Sequence, residues 1–278
     1  MSEPSRPRPV VPETLLRRFA DAAGLVMLER RDRGRRRTAP VREAAAEAGF
    51  YALLPGAHAA RLEALLDHVE ARADDAVERI VAGDFPPRGE ARAALALFIG
   101  LALLLGRGQR AAVAERAALL GQLIESRLPE DEEEGPPAPD VLAPAADAVI
   151  LDREPVRVTL AHLPRVARLL SARTWQLIRF PRPHLLTSDT PVVLWSRPGS
   201  PSPYPAGLGA ADEVRVPLDP RHALILARTA PAGEVVRDLG DRHASALNRT
   251  VAEVAQRWMY SHPGADPMMD VELASPNP

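Results

Sequence analysis

The stretch "HLLTSDTPVVLW", residues 184–195, sets Ser188, Asp189 and Thr190 between two strongly apolar runs. A carboxylate in that position can serve chemistry or architecture. As chemistry, Asp189 closes one strand, faces a crevice and acts as a general base or a metal ligand. As architecture, Thr190 is driven into extended backbone by Pro191, while Ser188 and Asp189 accept backbone N–H groups two residues on, making a turn between buried strands. Spacing alone favours the turn, and Ser188 directly beside Asp189 is not a catalytic triad.

Two other places could carry chemistry. Glu63, Asp67, Glu70 and Asp74 recur at steps of four, three and four, which stacks four carboxylates along one flank of a helix. Like charges so arranged repel, so a positive group should face them. Arginines from a hairpin or another helix are the simpler partner, and a divalent cation held by oxygen ligands is the alternative. Asn248 lies near the apolar stripe of the last helix, among alanines, so its amide should point inward and needs partners there. It either locks a loop backbone or positions a substrate, and the lock is preferred.

Much other chemistry is excluded by composition. There is no cysteine, which removes thiolate metal sites and cysteine nucleophiles and suits a reducing compartment. There is no lysine either, which removes Schiff-base and phosphate-loop lysines. The seven histidines show no zinc-binding spacing, and each is read as a lone surface residue, with His184 nearest to Asp189. No G-x-S-x-G, phosphate loop or dinucleotide fingerprint occurs. A net charge of −2 gives no global case for nucleic acid or an anionic membrane. The arginine-dense "RRDRGRRR", from Arg30 to Arg37, could grip phosphates, but aromatic residues are not interleaved with it, so a solvated hairpin tip is preferred and a nucleic-acid partner is not supported.

The elements that must position these residues follow from periodicity. "GLVML" leading into the arginine run predicts two strands joined by a hairpin. "VREAAAEAG" predicts a short helix stopped by Gly49. Leu62, Leu65, Leu66, Val69, Ala73, Val77 and Ile80 keep helical spacing, which predicts a long amphipathic helix over 58–82. "ARAALALFIGLALLLG" is apolar around its circumference, as a central buried helix would be. Helices are also expected over 109–127, 141–151 and 163–172, with an exposed acidic, proline-rich linker over 129–140. "TWQLIRFP", "PHLLTSD", "PVVLWS", "DEVRVPL" and "HALILAR" are short β-branched and leucine-rich runs bounded by proline and glycine, expected as strands of an antiparallel sheet. A last helix is expected over 241–262, with Leu247, Val251, Val254 and Trp258 on its inner stripe. The expected fold is therefore α+β, a helical N-terminal half packed with a small antiparallel sheet and a C-terminal helix, as one domain over residues 1–278. The opening residues carry no apolar leader and no run approaches the ~20 residues of a bilayer span, so a soluble, cytoplasmic protein with no membrane partner is expected.

Taken in order, "FPRPHLLTSDTPVVLW", "VRVPLDPRHALIL" and "LNRTVAEVAQRWMYS" resemble the C-terminal half of the bacterial family called domain of unknown function 4238. "VVPETLLRRFAD" with Gly24 after it, and "FYAL" followed by a helix bearing Glu63 and Glu70, resemble its N-terminal blocks, so the likeness spans about residues 10–262. The resemblance implies that Ser188, Asp189, Pro191, Asn248 and Tyr260 matter, and Glu70 more weakly. One departure stands out. Relatives usually carry a histidine three residues before the proline matching Pro12, and Pro9 occupies that place here. The family brings no settled activity, so two functions are expected from the residues. The preferred one is a non-catalytic or degenerate binding or regulatory module with Ser188, Asp189, Asn248 and Tyr260 as its binding residues. The alternative is a metal-assisted hydrolase of phosphodiesters, with Asp189 as candidate catalytic residue, Glu70 and Asp189 as candidate ligands of a divalent cation and the arginine hairpin holding the substrate. Whether the chain is an enzyme, its cofactor, its partner and its oligomeric state stay open.

Overall fold

A computed structural model describes residues 8–9, 11–32, 34–44, 46–47, 56–105, 161–198, 207–269, 271 and 273. The helices expected over 109–127 and 141–151 and the linker over 129–140 lie outside them.

The fold is α+β. The helical layer begins with α1 (Glu13–Phe19), whose Leu15, Leu16 and Phe19 are buried. The long amphipathic helix is α3 (Gly56–Val81), which buries Leu66, Val69, Ala73, Val77 and Ile80 at the expected spacing. It stops where glycine permits. Gly83 takes φ +113, its N–H reaches the Ile80 carbonyl and the Asp84 N–H reaches that of Arg79, a Schellman closure that a β-carbon would strain. Then α4 (Gly89–Leu105) runs through the interior, with residues 94–101 all buried. At Gly100 an added β-carbon would sit 3.0 Å from Leu163 and 3.2 Å from Val166 on α5 (Leu163–Ala172), so the small residue lets the two helices approach closely. Arg92 ties this pair to the sheet, donating to the Ser171 and Arg173 carbonyls and stacking over Trp175 at 4.6 Å. Short α2 (Val41–Ala44) is a correction to the longer helix expected there, because the chain becomes extended at β4 (Ala46–Glu47), which pairs with β1 (Arg8–Pro9).

The strands form more than one sheet. A five-stranded sheet has the order β10 (Val235–Asp238), β5 (Thr174–Arg179), β9 (His222–Ala227), β8 (Glu213–Asp219), β7 (Val193–Trp195). All its pairs are antiparallel except β10 with β5, which the sequence reading did not include. A four-stranded antiparallel sheet has the order β3 (Arg36–Pro40), β2 (Leu25–Arg30), β11 (Trp258–Ser261), β6 (Leu186–Ser188). The early arginine hairpin thus shares a sheet with the last strand. One apolar cluster includes Leu16 and Phe19, Val69 and Ile80, Leu97, Leu170, Trp175, Val216 and Leu224, and also Leu28 and Tyr260 of the four-stranded sheet. A smaller cluster of Leu186, Val251, Ala252, Met259 and Met268 lies under the last helix.

That last helix, α6, is Asp241–Val254, eight residues shorter than expected. Trp258 is not on its inner stripe but opens β11, and Tyr260 follows in the same strand. The spacing of Leu247, Val251, Val254 and Trp258 continues past the helix by coincidence. β11 is a central strand with Met259, Tyr260 and Ser261 buried, so it lacks the alternation that would mark it as a strand.

Candidate functional site

The segment that raised the question lies where α6 gives way to β11. β6 ends at Ser188, and the N–H of Asp189 donates to the Trp258 carbonyl at 3.0 Å, prolonging the pairing with β11 by one residue. Asp189, 1% exposed, turns its carboxylate back on the same chain. Oδ1 accepts the N–H of Gln256 at 2.8 Å, and Oδ2 accepts those of Arg257 at 2.8 Å and Trp258 at 3.1 Å. A carboxylate facing three amide donors is a strong acceptor site, and each such charge-assisted bond is worth about 1.5–3 kcal/mol. These donors are the last two residues of the link between the helix and the strand and the first residue of the strand. The bonds hold the backbone out of helical geometry without glycine or proline.

Ser188 completes the turn: its Oγ donates to the Thr190 carbonyl at 2.9 Å and accepts the Thr190 N–H at 3.1 Å. Asn248 works about two turns further back along α6, fully buried. Its Oδ1 accepts the N–H of Leu186 at 3.1 Å, and its Nδ2 donates to the carbonyls of His184 at 2.7 Å and Pro267 at 3.1 Å. One amide therefore joins α6, the entry to β6 and the segment after β11. Tyr260 pairs with Leu28 on one side and Thr187 on the other, and is buried. The Oγ1 atoms of Thr187 and Thr190 and the Oγ of Ser196 are buried without a hydrogen-bond partner.

Ser188, Asp189, Asn248 and Tyr260 are thus brought to one junction. Glu70 sits elsewhere, half-buried on α3, which packs on α1 and α4. Of the acidic flank, Asp74 meets Arg18 of α1, whose Nε lies 2.8 Å from its Oδ1 and whose Nη2 donates to its carbonyl at 3.0 Å. The Glu63 side chain lies outside the described residues. No group of three or more metal-ligating side chains occurs among the described residues. Pro9, where the resemblance described above implies a histidine, pairs with Ala46 in the short β1–β4 ladder.

Two further features were not foreseen. Arg173, between α5 and β5, buries its guanidinium among backbone carbonyls: Nη2 donates to Leu208 and to Ala211 at 2.9 Å, and Nη1 to Leu226 at 3.2 Å. Burial pulls this group below the ordinary arginine value, nearby Arg228 lowers it further, and Asp212 opposes both. The only available signal was an isolated arginine between two apolar elements. Nor are all histidines lone surface residues. His222 is half-buried with Nδ1 2.8 Å from Asp219 Oδ2, and half-buried His184 has Nε2 3.4 Å from Asp241 Oδ1. The turn "PLDPRH" folds the His222 ring back onto Asp219 at the end of β8, and "PRPH" brings His184 to Asp241 at the start of α6.

Among the described residues, no helix is long and apolar enough to cross a membrane. Comparison with curated proteins and with solved structures gives no match. A family model described as a protein of unknown function, DUF4238, matches residues 10–265, nearly the whole chain and including every residue of the junction. The chain belongs to the DUF4238 family.

Proposed function

We propose that this chain is a non-catalytic binding or regulatory module, and that its family-typical polar residues fasten the fold and do not carry out a reaction. The observation that carries the reading is the Asp189 carboxylate. Both of its oxygens accept backbone N–H groups, and the group is buried, so it is poorly placed to take a proton from a substrate or to meet a cation. Asn248 supports the same reading, since its oxygen and nitrogen are all engaged with backbone. Pro9, standing where the resemblance implies a histidine, supports the same reading. The hydrolase alternative, with Glu70 and Asp189 sharing a divalent cation, draws no support from this geometry.

Thermal melts of Asp189→Ala and Asn248→Ala test the proposal. Large losses of stability together with no heat of magnesium or manganese binding to the native chain agree with it. Unchanged melting, or stoichiometric cation binding lost in Asp189→Ala, contradicts it. We also take residues 1–278 as one domain, since the main apolar cluster draws on the early helices and on both larger sheets.

A further inference from the structure

We draw no further inference here: the strongest candidate, the outer edge of β10 in the five-stranded sheet with its exposed Val236, carries none, because nothing in the structure shows what covers it.

Discussion

Asp189 differs from an ordinary surface aspartate in what its removal leaves behind. In Asp189→Ala three amide N–H groups at the α6–β11 junction lose the buried carboxylate that accepts them. The expected loss is about 3 kcal/mol, or roughly 6–12 °C in melting temperature for a chain of this size. Asp189→Asn keeps one acceptor oxygen and should lose less. Thr187 predicts the opposite sign. Its Oγ1 is buried and unbonded, so the near-isosteric Thr187→Val should be neutral or raise stability by up to about 1 kcal/mol in denaturant titration. At this scale the sequence was informative about residue and not about role. A polar trio between apolar runs located the junction, and the inward-facing Asn248 followed from helical spacing. The partners could not be read, because they are backbone groups distant in the chain, 62 to 69 positions away for all but the Pro267 carbonyl.

Among the elements, α3 was legible from a long repeat ended by glycine, α4 from a fully apolar circumference, and α5 from a short repeat of Leu163, Val166, Ala167 and Leu170 with a proline in its first turn. β11 was not, because a short strand buried on both faces has no period of its own and here falls in phase with the helix before it. β10 was missed for a different reason: its residues are largely exposed at a sheet edge, so "VVRD" carries little apolar signal. Arg173 operates at the element scale too, joining the start of β5 to the turn before β8 and to β9 through carbonyl oxygens. Arg173→Met should therefore lower stability by about 2–3 kcal/mol, and limited proteolysis should show earlier cleavage within residues 207–212. Unaltered cleavage there would mean that the turn is held by other contacts.

At the scale of the molecule, aspartates at the strand and helix ends link stability to acid. Asp212 is held below the ordinary aspartate range, chiefly by the Arg197 N–H and then by Arg228. Asp238 is lowered by Arg179 and Asp241 by Arg182, with His184 adding to the latter. Because the folded values lie below the unfolded ones, the unfolded chain takes up protons first as pH falls. Their contribution is complete above the ordinary aspartate range and should fade from about pH 5 downward, seen as a falling melting temperature. A level melting temperature down to about pH 3 would remove these pairs from the account.

The larger claim is that the Asp189 carboxylate turns the chain out of α6 into β11 and so closes the sheet that begins with the arginine hairpin. Native-state hydrogen exchange at the amides of Gln256, Arg257 and Trp258 tests it most directly. In the unaltered chain these three should exchange as slowly as the neighbouring amides of β11, and in Asp189→Ala they should exchange orders of magnitude faster while α4 stays protected. Equal protection of the three amides with and without the carboxylate would contradict the claim.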